Sequence, residues 1–86
     1  MQSTPNLPDA HYLLGSAYLS LSKLDDAIAQ LAEALRGKPD FAAARLELAR
    51  AFREKGRLDE AVSNYREYLR LNPEDARARA ALGMEQ

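Results

Sequence analysis

Residues 8–41 read PDAHYLLGSAYLSLSKLDDAIAQLAEALRGKPDF, and residues 42–75 read AAARLELARAFREKGRLDEAVSNYREYLRLNPED. When the second stretch is aligned with the first at an offset of 34 residues, ten positions are identical, Leu14 and Leu48 among them. The same register continues through residues 76–86. A fixed period of this length is typical of stacked-repeat architectures. The chain therefore consists of two full units and the first third of another.

The amino-acid composition predicts the secondary structure of each unit. The 86 residues include sixteen Ala and fourteen Leu but only one Val, one Ile and one Thr. Branching at Cβ favours strands, whereas Ala, Leu, Arg and Glu lose little freedom on entering a helix. We therefore expect an all-α protein.

Hydrophobic spacing divides each unit into two helices. In the first unit, apolar residues at intervals of three and four form two successive stripes. The stripes are Leu14, Ala17, Tyr18 and Leu21, then Ala27, Ile28, Leu31, Ala34 and Leu35. Applied along the whole chain, this pattern predicts helices over 8–21, 24–37, 40–55, 58–71 and 74–84.

Short polar segments between these stripes predict how the helices end. Ser22 and Asp25 have the spacing of a capping box, with aspartate in place of glutamate. Gly56 occupies the same place in the second unit, where a left-handed residue can end a helix. Asn72 and Pro73 are expected at the N-cap and first helical position of the last helix.

These units resemble the tetratricopeptide repeat, in which Leu-Gly and Tyr mark the first helix, Ala and a large apolar residue the second, and proline the close. The matching residues are Leu14, Gly15, Tyr18, Ala27, Leu31 and Pro39, then Leu48, Ala49, Phe52, Ala61, Tyr65 and Pro73. The resemblance implies a right-handed α-solenoid of antiparallel helix pairs with five helices. Its units are 8–41 and 42–75, with a closing helix in 76–86 and a disordered tail in 1–7.

The small residues of the pattern have a packing role in this interpretation. Gly15, Ala49 and Gly83 are expected where the two helices of a pair approach closely, with Ala27 and Ala61 receiving the contact. The larger residues Tyr18, Phe52, Leu31 and Tyr65 are expected to fill the core between helices. No function is assigned to any of them.

The resemblance also implies a concave groove lined by the first helix of each unit. The partner-binding positions expected there are Tyr12, Ser16, Leu19, Leu46, Arg50, Arg53, Arg77 and Met84. Together they form a mixed apolar and cationic strip, which suits a peptide with hydrophobic anchors and an acidic group. The alternative is that these side chains only contact one another across neighbouring helices.

A known ligand class of the family is not expected here. Its chaperone-tail receptors hold a terminal carboxylate with Lys, Asn, Asn, Lys and Arg, where this chain has Tyr12, Ser16, Glu47, Arg77 and Ala81. Only Arg77 is compatible, and Glu47 would repel a carboxylate. The sequence therefore argues against that type of receptor.

Other function classes find little support in the sequence. The net charge of −1 disfavours nucleic acid as a partner, and no apolar run is long enough for membrane insertion. The chain lacks cysteine, and His11 is its one histidine, so no catalytic, cofactor-binding or metal-binding residue is predicted. His11 is expected at the surface or between helices. We expect a cytoplasmic protein, with the periplasm as the alternative, and the Ala, Leu and Arg-rich alphabet hints at a bacterial source.

The sequence thus predicts a non-catalytic module that binds a protein or peptide in the groove of a helical solenoid. The alternative is a structural or oligomerising segment of a longer scaffold, with no groove ligand of its own. In that case self-association would proceed through the open terminal helix.

Overall fold

The computed structural model describes residues 7–85, with side chains as far as Gly83. Of the predicted tail 1–7, residues 1–6 lie outside the described residues, and Leu7 begins the first helix. The elements are α1 (Leu7–Ser20), α2 (Leu24–Gly37), α3 (Ala42–Lys55), α4 (Leu58–Leu71) and α5 (Ala76–Glu85). Helices account for all the regular structure in this part of the chain, which confirms the all-α prediction.

Each helix packs against the next one along the chain, and α1 also contacts α3. Loops of two to four residues join the helices, and such short loops place consecutive helices antiparallel. The predicted bounds of α2 and α4 are confirmed to the residue, whereas α3 and α5 begin two residues later than predicted. No helix in the described part of the chain is long and apolar enough to cross a membrane.

The predicted capping box at Ser22 is wrong. Lys23 occupies the N-cap of α2, and no side chain caps that end. Ser22 instead adopts φ +61°, in the left-handed region, and ends α1 through a backbone hydrogen bond from its N–H to the Leu19 carbonyl. Gly56 adopts φ +84° at the corresponding turn, as predicted. Ser22 therefore adopts the left-handed conformation at the end of α1 that Gly56 adopts at the end of α3, and it does not cap α2.

The predicted cap at Asn72 is also wrong. Asn72 follows α4, and its N–H donates to the Tyr68 carbonyl at 2.8 Å. Pro73 and Glu74 form a turn, and Asp75 caps α5 by accepting a hydrogen bond from the Ala78 N–H at 3.1 Å. The helix starts after a complete turn, which explains the two-residue delay.

Two apolar clusters form the core. The first joins α1, α2 and α3, and its buried members are Ala27, Leu31, Ala34, Leu35, Ala44 and Leu48. The second joins α3, α4 and α5 around Ala49, Ala61, Tyr65 and Ala78. Tyr18 and Phe52 pack against these clusters. Alternate helices, α1, α3 and α5, are thereby held side by side.

Glycine at position 15 is required by a close helix approach. A Cβ placed there would lie 2.7 Å from Leu31 Cγ, inside the buried first cluster. The predicted contact in the first helix pair is thus confirmed. The prediction for Gly83 is wrong, because a Cβ at that position would meet nothing within 4 Å. Gly83 is exposed because no described helix packs against that side of α5.

The predicted apolar stripe of α1 is only partly buried. Tyr18 contacts the first cluster, but Leu14 and Leu21 are 43% and 65% exposed and Ala17 is exposed. Leu48, the equivalent of Leu14 in the second unit, is only 6% exposed. The difference arises because α3 has α2 beside this face, whereas no described helix lies against the same face of α1.

Candidate protein-binding groove

Side chains from α1, α3 and α5 line two adjoining cavities. The first has a volume of about 420 Å³, and its lining residues are Ser16, Leu19, Ser20, Glu47, Arg50, Arg53 and Glu54. The second has a volume of about 290 Å³, and its lining residues are Leu46, Arg50, Arg53, Tyr65, Asp75, Arg77, Ala78 and Ala81. Arg50 and Arg53 line both cavities. We call the pair of cavities the groove.

The first cavity is lined by equal numbers of positive and negative side chains. Arg50 and Arg53 face Glu47 and Glu54 along α3, and Arg50 Nη1 lies 3.9 Å from Glu47 Oε1. The Ser16 hydroxyl oxygen is buried and has no hydrogen-bond partner among the described residues. The wall at this end of the groove therefore consists of paired charges and a buried hydroxyl.

Counted by itself, the second cavity carries an excess of positive charge, whereas over the whole groove the three arginines are balanced by the carboxylates of Glu47, Glu54 and Asp75. Its wall contains three arginines and one carboxylate, that of Asp75. Arg53 Nη1 donates to the hydroxyl of Tyr65, 3.4 Å away, and Tyr65 is 2% exposed. This bond holds one guanidinium against the buried floor. Leu46 and Ala81 supply the apolar part of the same wall.

Asp75 is held in the ionised form by bonds within the protein. Its Oδ2 accepts a hydrogen bond from the Tyr68 hydroxyl at 2.5 Å, and its Oδ1 accepts one from the Ala78 N–H. The Tyr68 bond is the main reason that the pKa of Asp75 lies below its ordinary value, and the Ala78 N–H adds to it. The same bond raises the pKa of Tyr68. Asp75 therefore contributes one negative charge to a cavity that contains three arginines.

The structure places most of the predicted partner-binding residues on the groove. Ser16, Leu19, Leu46, Arg50, Arg53 and Arg77 line one cavity or both. Tyr12 lies instead against Phe41, with ring centroids 5.0 Å apart. Met84 falls in α5, and its side chain lies outside the described residues.

The apolar members of this set also contribute to packing. Tyr12 and Leu19 are partly buried against the first cluster, and Leu46 against the second. Leu19 and Leu46 thus both contact neighbouring helices and line the groove.

Some residues that line the groove are not predicted there from the sequence, Tyr65 and Asp75 among them. The spacing of Tyr65 in its helix predicts a core residue. Its link to the groove is the hydrogen bond that its hydroxyl accepts from Arg53, which the sequence does not show. Asp75 has a signal in the sequence, because it stands three residues before Ala78, the spacing of an N-cap side chain and the N–H that it accepts from.

The family follows from a comparison with known proteins. The model of the tetratricopeptide repeat family matches residues 12–76 and, in a second copy, residues 46–84, which together cover most of the chain. The chain belongs to the tetratricopeptide repeat family. Tetratricopeptide repeats generally mediate interactions between proteins and are typically non-catalytic. No curated protein sequence matches this tetratricopeptide repeat chain significantly.

Outside the groove, three polar residues of this tetratricopeptide repeat domain, His11, Asp25 and Asp59, have structural roles. His11 Nδ1 lies 2.8 Å from Gln30 Oε1, between α1 and α2, which confirms the expected inter-helix position. Asp25 and Asp59 lie in the first turns of α2 and α4, where acids complement the helix dipole. In the part of the chain that is described, no three potential ligands lie close enough to hold a metal ion.

Proposed function

We propose that this tetratricopeptide repeat chain binds a protein partner by accepting an extended segment of it in the groove. The observation that carries the proposal is the position of Arg50 and Arg53, which line both cavities and make the groove continuous from α1 to α5. An extended segment advances about 3.3 Å per residue, so several consecutive residues can contact α1, α3 and α5.

The charges of the groove favour a segment with an acidic residue beside an apolar one. The second cavity holds three arginines and the engaged carboxylate of Asp75, although the whole chain carries a net charge of −1. Arginine binds carboxylates through charge-assisted and often bidentate hydrogen bonds. Leu46 and Ala81 give a neighbouring leucine or phenylalanine an apolar surface to bury. Because Arg77 lines only the second cavity, whereas Glu47 and Glu54 line only the first, we expect the acidic residue of the segment at the α5 end.

Selection from a random peptide library displayed on phage tests this proposal. The baits are the native domain, the groove variant Arg50→Glu/Arg77→Glu and the control variant Arg36→Glu/Arg70→Glu. Arg36 and Arg70 lie on α2 and α4, exposed and paired with Glu33 and Glu67, so the control makes the same change of charge away from the groove. Circular dichroism must first show equal helical content for all three baits.

We expect the native domain to select peptides that carry Asp or Glu next to a large apolar residue. Their affinity should fall at least about tenfold for the groove variant, the loss of one charged contact, and stay unchanged for the control. Equal losses for both variants would place the binding surface elsewhere. Selected peptides without acidic residues would refute the charge preference, and failure to select any peptide would refute the groove proposal itself.

A further inference from the structure

An apolar stripe runs the full length of α1 on the surface. Its members are Leu7, Ala10, Leu14, Ala17 and Leu21, spaced 3-4-3-4, and all five are exposed. Leu7 and Leu21 are 67% and 65% exposed. Although Leu21 follows the last residue of α1, its N–H donates to the Ala17 carbonyl at 3.2 Å, so it continues the helical register. Asp9 is the one charged residue within α1 and lies off the stripe.

The second unit shows that this face is built for packing. The equivalent positions in the second unit are Phe41, just before α3, and Ala44, Leu48, Ala51 and Lys55 on α3; the first four are apolar like their counterparts, and Lys55 is exposed where Leu21 is. Ala44 and Ala51 are completely buried and Leu48 is 6% exposed, with Ala44 and Leu48 in the cluster that includes Leu31 and Leu35 of α2. The same arrangement of Leu and Ala on α1 therefore presents a helix-packing surface to solvent.

We infer that this stripe packs against α1 of a second copy, in an antiparallel, two-fold symmetric dimer. Leucine and alanine alternating at 3-4-3-4 spacing form the seam by which one helix pairs with another like itself. The corresponding surfaces of α2 and α4 are already covered by α3 and α5, since Ala44 is 0% and Ala78 3% exposed. Among the described helices, α1 is thus the one whose stripe is free to pair without unfolding.

The size of the stripe sets the strength of the dimer. Pairing two copies would bury roughly 800 Å² in total, just below the limit of about 1,000 Å² for a specific interface. The seam is also only two heptads long. The dimer should therefore be weak and form at high protein concentration.

Dimerisation through α1 leaves the groove accessible. Ser16 follows Leu14 by two residues, which turns it by about 200° around the helix axis. The stripe and the groove consequently lie on opposite sides of α1. The dimer would carry two open grooves, and its formation does not depend on what the grooves bind.

Sedimentation equilibrium between about 10 µM and 1 mM tests the inference. We expect the average mass of the native chain to rise from 9.6 kDa towards two copies, with a Kd on the order of 100 µM. Leu14→Glu and, separately, Leu21→Glu should stay at one copy across the range. Leu58→Glu is the matched control, because Leu58 is 46% exposed against 43% for Leu14 but lies on α4.

Three results would overturn the inference. They are a constant mass for the native chain, growth beyond two copies without a plateau, and an equal loss of association in the Leu58→Glu variant. Circular dichroism of each variant checks that the helices are retained, and Leu21→Glu keeps the test valid if Leu14→Glu unfolds.

Chemical cross-linking tests the symmetric pairing of α1 directly. The chain has no native cysteine, so Leu14→Cys introduces a single thiol close to the two-fold axis, and Leu58→Cys introduces one away from it. At about 500 µM, above the expected Kd, a short bifunctional maleimide should give covalent dimers several-fold faster for Leu14→Cys. Equal rates for the two variants would contradict the symmetric pairing of α1.

Discussion

The Tyr68 hydroxyl donates a hydrogen bond to Asp75 Oδ2 at 2.5 Å, and this bond joins α4 to the residue that caps α5. Asp75 also lines the second cavity of the groove, beside Arg77. One side-chain pair therefore fixes the start of the last helix and sets the charge at one end of the candidate site.

Replacing Tyr68 with phenylalanine should raise the pKa of Asp75 towards its ordinary value. The hydroxyl is the principal cause of the lowered pKa, and the ring of phenylalanine keeps the packing while removing that donor. Carbon-detected NMR titration of the Asp75 carboxyl measures the change. Tyr12→Phe, far from Asp75, is the control and should leave the titration unaltered. An unchanged pKa in Tyr68→Phe would show that the bond does not form in solution.

The same pair predicts loss of stability in acid. Because the pKa of Asp75 is lowered in the folded state, its contribution is fully present above the unfolded value and is lost as the pH falls through the folded one. The native chain should therefore lose more stability than Tyr68→Phe as the pH falls below about 4, the ordinary pKa of an aspartate. Urea unfolding at several pH values measures this difference, and parallel pH profiles would contradict the linkage.

Gly15→Ala should destabilise the fold in spite of the higher helix propensity of alanine. The new methyl group would lie 2.7 Å from Leu31 Cγ and 3.3 Å from the Ala27 carbonyl, and Leu31 is fully buried. Overpacking should outweigh the gain in propensity, for a net loss of about 1–2 kcal/mol. Gly83→Ala is the matched control, since a Cβ there meets nothing within 4 Å, and should be neutral or slightly stabilising. Chemical denaturation of both variants measures the contrast, and equal effects would contradict the close approach.

Leu48→Asp and Leu14→Asp should differ greatly although the two leucines are equivalent in sequence. Leu48 is 6% exposed, so aspartate there buries an unpaired charge and leaves a cavity, at a cost of about 3 kcal/mol or more. Leu14 is 43% exposed, and its replacement should cost about 1 kcal/mol or less. Melting curves at low protein concentration, where any dimer is dissociated, measure the difference. Similar melting temperatures would contradict the assignment of the buried face.

The repeat predicts the helices well because each unit contains its own packing pattern. The limits of α2 and α4 follow from apolar stripes that are buried in the structure, as at Leu31 and Tyr65. The limits of α3 and α5 depend on turns and caps, where Asp75 rather than Asn72 caps the helix. Several polar residues can cap from nearby positions, so backbone geometry decides among them.

The exposure of apolar faces and the contacts within the groove are harder to predict, because both depend on which helices lie side by side. Periodicity shows that Leu14 belongs to an apolar face, but a sequence does not show whether a neighbouring helix covers that face. The groove positions follow from the family resemblance, whereas the Arg53–Tyr65 bond and the charge excess of the second cavity require the helices to be placed side by side.

Chemical-shift mapping by two-dimensional ¹H–¹⁵N NMR tests the central claim most directly, with the tightest peptide from the library selection as the probe. If the groove is the binding surface, the largest amide shifts will lie in α1, α3 and α5, around Ser16, Arg50 and Arg77. They will disappear in Arg50→Glu/Arg77→Glu and persist in Arg36→Glu/Arg70→Glu. Shifts concentrated instead on α2 and α4, or on the apolar stripe of α1, would contradict the claim that the groove receives the partner.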